Sequence, residues 1–213
     1  ATPILQKPTT MGADFVIHSG TKYLDGQGRV MAGAICCSQK HKDEVFLPIT
    51  RTAGMVLSPF NAWVVLKGME TLSIRLQAQS ERALKMAQWL EAQPAVERVY
   101  YPGLASHPQH ALAQRQMGGL GGAVLSFDVK ASSPEQARAR AFHVLDSMQV
   151  LSLSTNLGDT KTLVAHPAST SHGKLSEDQR QAAGIGQGLI RLAAGLEHLD
   201  DMKADLLRGL ETL

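Results

Sequence analysis

The chain has 213 residues, of which 44% are hydrophobic and 19% are charged, values typical of a globular protein with a substantial core. Its 21 basic and 19 acidic side chains leave a net charge of +2, so charge gives no reason to expect a nucleic-acid or membrane partner. The sequence has no apolar run long enough to cross a bilayer.

The first part of the chain predicts two buried strands joined by a loop. It begins Ala1-Thr2-Pro3 without a Met, which is typical of the middle of a loop, so we expect this chain to be the C-terminal part of a longer polypeptide. The β-rich runs 13–19 (ADFVIHS) and 33–38 (GAICCS) are the predicted strands, and glycines mark the loop between them.

Two adjacent cysteines, Cys36 and Cys37, are the only ones in the sequence. A disulfide between chain neighbours is strained, so both are predicted to be small buried residues. Without a disulfide framework, a reducing, cytoplasmic location is the simpler expectation.

The middle of the chain predicts two consecutive helices. Ser58-Pro59 is typical of a helix start, because a hydroxyl N-cap precedes proline at the first helical position. We expect a break near Gly68 and a helix end before Pro94. Between them, apolar residues at helical spacing predict a face that packs on a core, formed by Leu72, Leu76, Ala83, Ala87 and Leu90.

The second half mixes strands and helices without strict alternation, which favours an α+β unit. Ser133 is the predicted N-cap of one helix, and Ser176 with Gln179 has the spacing of a capping box. The predicted strands are 96–101, 123–129, 149–154, 163–165 and 189–194, and the predicted helices are 108–117, 134–148, 176–183 and 200–213.

The sharpest chemical pattern is His18-Ser19-Gly20-Thr21-Lys22-Tyr23, at the end of the first predicted strand. Ligands of α/β sheets bind beyond strand ends, where hydroxyls can donate to phosphate oxygens and glycine lets the backbone approach closely. A lysine amine partly withdrawn from water can condense with an aldehyde. The six residues alone leave open an ordinary solvated lysine on a surface turn.

The wider sequence favours a functional lysine over a solvated surface lysine. The segment 2–26 resembles the lysine segment of the Cys/Met-metabolism enzymes that depend on pyridoxal phosphate (PLP), a family of cystathionine synthases and lyases, methionine γ-lyase and homoserine-ester sulfhydrylases. Further blocks are similar to family sequence in the same order and spacing, at 57–63, 67–72, 100–108, 166–172 and 189–197.

The resemblance implies an α/β protein with the PLP-dependent transferase fold type I, which is aspartate-aminotransferase-like. Residues 1–72 are then the C-terminal end of the large PLP-binding domain. Residues 73–213 are the small C-terminal α+β domain.

The resemblance also implies roles for individual residues. Lys22 matches the catalytic lysine that holds the PLP cofactor and moves protons, and Ser19 and Thr21 match the hydroxyls that bind its phosphate. Arg191 matches the arginine that grips the substrate α-carboxylate, a task suited to a planar guanidinium. Asn156 stands at the substrate-binding turn, where lyase relatives often have Ser, and we predict that it contacts the substrate.

Branch-level cues at 51–54 and 156–162 favour the sulfhydrylases that act on O-succinylhomoserine. The implied reaction is γ-replacement with sulfide to give homocysteine, in methionine biosynthesis. O-acetylhomoserine sulfhydrylase, cystathionine γ-synthase and methionine or cystathionine γ-lyase activities are the alternatives. The expected partners are the amino-acid substrate, sulfide and other copies of the chain, in a homotetramer built as a dimer of dimers with shared active sites.

A hypothesis of another class is an inactive fragment or a non-catalytic chain that associates with partner subunits. Family members have the carboxylate that pairs with the pyridine nitrogen just upstream of the Thr-Pro segment, hence before Ala1. We therefore expect these 213 residues alone to be inactive. No metal is expected, because the histidines do not have a recognised zinc spacing.

Overall fold

A computed structural model describes residues 2–213, so Ala1, where the predicted first domain begins, lies outside the described residues. The strands are β1 Phe15–Ser19, β2 Gly33–Cys37, β3 Val96–Tyr100, β4 Val124–Val129, β5 Ser152–Leu153, β6 Leu163–Ala165 and β7 Leu189–Ala193. The helices are α1 Gln39–His41, α2 Leu47–Ala53, α3 Pro59–Met69, α4 Leu72–Glu91, α5 His110–Gln116, α6 Pro134–Asp146, α7 Glu177–Ala182 and α8 Leu199–Leu210. In the described part of the chain, no helix combines the length and apolarity that crossing a bilayer requires.

The strands form two separate sheets. β1 and β2 make an antiparallel pair, while the other five strands form a sheet in the order β3-β4-β7-β6-β5. Within the larger sheet only β5 and β6 run parallel, and the remaining neighbours are antiparallel. The mixed sheet with its helices agrees with the α/β class predicted from the sequence.

The main core lies between the five-stranded sheet and helices α4, α6 and α8. β4 alternates strictly, so that Leu125, Phe127 and Val129 are buried in this core while Ser126 and Asp128 point to the opposite face. All members of the core cluster lie between residues 83 and 210. The helices therefore cover one face of the sheet, and the other face remains available for polar side chains.

Most helix starts confirm the sequence predictions. The hydroxyls of Ser58, Ser133 and Ser176 each accept a hydrogen bond from the backbone N–H three residues later. Ser176 and Gln179 form the complete capping box. Helices α3 and α4 meet at residues 70–71, close to the predicted break at Gly68.

One predicted strand, 149–154, is shorter in the structure. β5 covers only Ser152–Leu153, because the N–H groups of the three preceding residues donate to the buried carboxylate of Asp205 on α8 at 2.8–2.9 Å. These amides are thus bound to a side chain instead of a neighbouring strand. The short helices between residues 39 and 53 were not predicted.

The prediction that the first two strands are buried is wrong for the described residues. Ile17 is 78% exposed, Cys36 is exposed and Cys37 is half-buried. Of the eighteen large hydrophobic side chains exposed in residues 2–213, fifteen lie between residues 4 and 74. In the described chain no helix layer covers the two-stranded sheet as α4, α6 and α8 cover the larger one, so its apolar residues remain exposed.

Candidate active site

Lys22 lies just past the end of β1, as predicted, but in a five-residue helical turn, Gly20–Leu24, that was not predicted. The carbonyl of Ala32 accepts hydrogen bonds from the N–H groups of Gly20 and Thr21, at 2.7 and 3.3 Å. A Cβ at Gly20 would lie 2.7 Å from the Ala32 Cβ, so only glycine permits this approach. The backbone of Lys22 itself is non-helical (φ −91°, ψ −127°), which kinks the turn at the lysine.

The two predicted phosphate-binding hydroxyls have different surroundings. The Thr21 hydroxyl accepts a hydrogen bond from the Ala32 N–H at 3.1 Å, and its proton has only a long 3.5 Å contact to the Ala32 carbonyl. Ser19 is exposed, and its hydroxyl does not cap the following turn. Both hydroxyls therefore keep the capacity to donate to an anion.

Asn156 brings the second half of the chain to the lysine. The Lys22 amine donates a hydrogen bond to the Asn156 side-chain carbonyl. The loop of Asn156 reaches this position because Gly158 adopts φ +82° and packs against the lysine turn. A Cβ at Gly158 would lie 2.7 Å from the Tyr23 nitrogen.

Arg191 projects from β7 on the sheet face opposite the main core, since it pairs with Ser126 and lies between two core residues. Its Nη2 donates to the carbonyls of Ser154, Thr155 and Asn156, at 3.4, 3.0 and 2.8 Å. Its Nε is buried and has no acceptor in the described residues. Asn156 thus contacts Lys22 through its side chain and Arg191 through its backbone.

Two ionisable groups near the lysine have shifted pKa values. Burial raises the pKa of Tyr23 to about 12, with the positive charge of Arg191 opposing the shift, so the phenol is neutral at physiological pH. Burial also lowers the pKa of Arg191, and the electrostatic effect of Tyr23 opposes this. A guanidinium nevertheless stays protonated, so the site presents a fixed positive charge.

A cavity of about 500 Å³ opens beside the lysine turn, large enough for a cofactor-sized molecule. Ser19, Lys22, Tyr23, Leu157 and Gly122 are among its lining residues. In the described structure the cavity wall does not include Thr21, Asn156 or Arg191. The structure therefore brings Lys22 and Asn156 into contact and links Arg191 to them through the loop, while the Thr21 hydroxyl contacts the Ala32 backbone.

Two buried polar residues of α4 were missed from the sequence. Arg75 donates to the Tyr23 carbonyl and Gln79 donates to the Asp159 carbonyl, at 3.0 and 2.6 Å. Both lie on the same helix face as Leu72 and Leu76, which was predicted to pack on a core. A polar side chain on such a face was the available signal, because buried polar groups almost always bind something.

His166 has structural partners. His166 is buried, and its two ring nitrogens contact the Ser169 hydroxyl and the Gln187 carbonyl, both at 2.8 Å. Among residues 2–213, no group of three or more His, Cys, Asp or Glu side chains is arranged to hold a metal ion.

Comparison with known proteins gives a consistent result over the whole chain. The family profile described as Cys/Met metabolism PLP-dependent enzyme matches residues 1–211. O-succinylhomoserine sulfhydrylase from Pseudomonas aeruginosa is 58% identical over 212 residues, which are 100% of this chain and 51% of that protein. L-methionine gamma-lyase from Fusobacterium nucleatum subsp. polymorphum is 42% identical over 214 residues, 100% of this chain and 53% of that protein. The chain thus spans about half the length of these curated relatives.

A solved structure from Campylobacter jejuni subsp. jejuni has a TM-score of 0.91 and 34% identity, covering 99% of this chain and 57% of its own. It contains an N'-pyridoxyl-lysine-5'-monophosphate residue. The two curated relatives carry the names of different reactions, and the family profile that matches this chain names a single cofactor, PLP.

Proposed function

The chain belongs to the Cys/Met metabolism PLP-dependent enzyme family, and from this premise we propose that the protein replaces the γ-substituent of O-succinylhomoserine with sulfide to give homocysteine. The observation that carries the proposal is the identity of 58% over the full chain with a sulfhydrylase, against 42% with a methionine γ-lyase. O-acetylhomoserine sulfhydrylase, γ-synthase and γ-lyase activities become alternative outcomes of the test.

The described residues fit PLP. Lys22 and the exposed Ser19 border the same cavity, while Thr21 lies outside the cavity wall and keeps a hydroxyl proton with only a long contact to the Ala32 carbonyl. These groups offer an amine for an aldehyde and hydroxyl donors for a phosphate. When bound, PLP supplies the aldehyde and a ring that withdraws electrons from the substrate Cα.

Lys22 is the proposed proton carrier. Its amine, once released from the cofactor, would remove the proton from the substrate Cα and then move a proton at Cβ, which must be lost before the γ-substituent can leave. The Asn156 carbonyl accepts a hydrogen bond from this amine and thereby orients it. An oriented amine loses less freedom when the proton is transferred.

Arg191 is the proposed carboxylate clamp. Three backbone carbonyls accept hydrogen bonds from its Nη2, so the buried Nε remains to donate to the substrate α-carboxylate. A carboxylate would give the buried Nε the acceptor that it lacks, and an unsatisfied buried donor costs about 1–3 kcal/mol. The same bond would fix the Cα–H direction relative to the lysine.

The proposal also covers the domain boundary and the assembly of the protein. We place the domain boundary near Leu72, where α4 begins, with residues 1–72 in the large domain and 73–213 in the small one. The exposed apolar residues between 4 and 74 are consistent with a surface that further chain or other copies cover in a homotetramer. Light scattering coupled to gel filtration measures the assembly.

The test uses the protein at its full native length with PLP. It is incubated with O-succinylhomoserine or O-acetylhomoserine, and with sulfide or cysteine. The proposal predicts homocysteine from the succinyl ester and sulfide. Cystathionine as the main product, or ketobutyrate despite excess sulfide, would assign the protein to a sister reaction.

The Lys22 assignment has a separate test. Borohydride reduction followed by peptide mapping should find the pyridoxyl group on the peptide that contains Lys22. A reduced group on any other lysine contradicts the assignment, whatever the substrate.

A further inference from the structure

Two buried polar side chains of α4 contact both halves of the site. Arg75 is 5% exposed and Gln79 is fully buried, and they lie one helical turn apart on the same face. Neither touches the cavity beside Lys22. Their partners are backbone carbonyls in the segments that carry the proposed catalytic groups.

Arg75 binds the segment of the lysine. Its Nη2 donates to the carbonyl of Tyr23, the residue after Lys22, at 3.0 Å and to the carbonyl of Gly68 at 2.7 Å. Its Nε donates to the Thr71 hydroxyl at 3.0 Å. One guanidinium therefore fixes the lysine turn relative to the start of α4.

Gln79 binds the segments of the substrate-binding residues. Its side-chain amide donates to the carbonyl of Asp159, three residues after Asn156, at 2.6 Å. It also donates to the carbonyl of Ala194, three residues after Arg191, at 3.0 Å. The same helix face thus holds the lysine turn, the Asn156 loop and the end of β7.

The three segments also bind one another in a junction without spare volume. The Thr160 N–H donates to the Gly26 carbonyl at 2.9 Å, and the Leu196 N–H donates to the Thr160 carbonyl at 2.7 Å. A Cβ at Gly26 would lie 2.3 Å from Arg75 Nη1, and one at Gly195 would lie 2.4 Å from the Thr160 carbonyl. Small errors in the placement of any segment would therefore be transmitted to the others.

We propose that Arg75 and Gln79 are positioning residues, which set the distance between the Lys22 amine and the Asn156–Arg191 pair. Apolar packing is non-directional, whereas hydrogen bonds to defined carbonyls fix the register of each segment on α4. A misplacement of about 1 Å can lower the rate about 100-fold, so such anchors control catalysis without touching substrate. The inference rests on the proposed function for its kinetic readout.

Gln79→Met in the full-length holoenzyme removes the amide but keeps the size of the side chain. The KM for the acyl-homoserine should rise about 10- to 100-fold, while kcat changes much less, because the variant displaces the substrate-binding side of the site. Gln77→Met, on the exposed face of the same helix, is the matched control and should leave both constants unchanged.

Arg75→Lys keeps the charge but replaces the planar guanidinium, whose Nη2 and Nε donate to three acceptors, with a single amine. It should lower kcat about 10- to 100-fold and shift the pH midpoint of the absorbance of the Lys22-bound cofactor, because it displaces the lysine side. Arg115→Lys, on exposed α5, is its control. Unchanged kcat and midpoint in Arg75→Lys would overturn the role of Arg75.

Amide hydrogen exchange separates this inference from the proposed function. Gln79→Met should speed exchange at Thr160 and Leu196, whose N–H groups hold the junction, and leave the interior strand β4 protected. If the wild type does not convert acyl-homoserines, the proposed function fails, and exchange and cofactor absorbance still decide the positioning role. If Gln79→Met matches Gln77→Met in both KM and exchange, the positioning role of Gln79 is wrong.

If Gln79→Met does not fold, a second variant, Gln79→Asn, is compared with the wild type. Gln79→Asn keeps the amide but shortens it by one methylene, so it reaches the two carbonyls poorly. A raised KM in this variant supports the role of Gln79, and wild-type KM contradicts it.

Discussion

Residues 2–71 and 72–213 differ in how they bury their apolar side chains. The second region encloses a continuous core between its sheet and three helices, and Phe127 and Ile190 are fully buried there. The first region has a two-stranded sheet and short helices, and it leaves Ile17 and Trp63 more than half exposed. Only a small cluster, which includes Tyr23, Leu24 and Leu76, packs the first region onto the second.

The difference teaches that the candidate site lies at the contact of a well-packed and a sparsely packed region. Lys22 comes from the sparsely packed region, and Arg191 with Asn156 comes from the well-packed one. Within residues 2–213, the proposed binding groups lie on the packed sheet, while the turn of the proposed proton carrier is held by its contacts with α4 and the Asn156 loop.

The largest expected change in the free energy of unfolding comes from a substitution in the core of the second region. Phe127→Ala should lower the free energy of unfolding by about 3–5 kcal/mol, through lost transfer energy and a cavity. Ile17→Ala in the same 213-residue chain should change it by less than about 0.5 kcal/mol. Urea unfolding of both variants is the measurement. A large cost for Ile17→Ala would mean that β1 is covered in solution and would remove the contrast.

Arg191→Ala tests whether the well-packed region supplies substrate binding. The loss of the carboxylate clamp should lower kcat/KM of the full-length enzyme by about 100-fold or more, since such a pair is worth about 2–5 kcal/mol. The absorbance of the bound cofactor should stay the same. Exposed Arg115→Ala is the control. Unchanged kcat/KM would remove Arg191 from the site.

Asp205→Asn tests the hydrogen bonds that hold the segment before β5. Its carboxylate accepts three backbone N–H groups just before β5, and an amide can replace this acceptor only in part. Hydrogen bonds to charged groups contribute about 1.5–3 kcal/mol, so unfolding should become easier by an amount of that order. Asp201→Asn, exposed on the same helix, should have little effect. Equal urea midpoints for the two variants would contradict the prediction.

The smallest expected change in the free energy of unfolding comes from removing a helix cap. One cap is tested in each region. Ser133→Ala on α6 should lower the free energy of global unfolding by about 1 kcal/mol. Ser58→Ala on α3 should lower it less, because a sparsely packed region can open locally before the core unfolds. Hydrogen exchange near each cap checks this, and identical global and local effects would show that both regions unfold together.

The sequence predicted local structure well where the signal was local. The Ser58, Ser133 and Ser176 caps, the break near Gly68 and the strands of the larger sheet are in place, because caps and periodicity act within a few residues. The sequence did not predict local structure that depends on a partner far away along the chain. The Asp205 carboxylate shortens β5 from 56 residues away along the chain, and no local pattern predicts that contact.

The candidate site was predicted through family resemblance more than through spacing. The contact of Lys22 with Asn156 joins residues 134 positions apart, which a single sequence does not reveal. Burial of β1 was predicted wrongly, because a run such as ADFVIHS indicates a strand but not what covers it. Arg75 and Gln79 were missed although their polarity on an apolar face was visible.

Three loop carbonyls accept hydrogen bonds from Arg191, and this arrangement has a consequence for mutational tolerance. Because the acceptors are backbone atoms of residues 154–156, substitutions of these side chains leave the acceptors in place. The guanidinium is also ordered before any substrate arrives, and immobilising such a side chain upon binding would otherwise oppose affinity by about 0.5–1.5 kcal/mol. The Thr155 side chain can therefore change without removing an acceptor, whereas the side chains of Ser154 and Asn156 accept hydrogen bonds from the Asn156 N–H and the Lys22 amine.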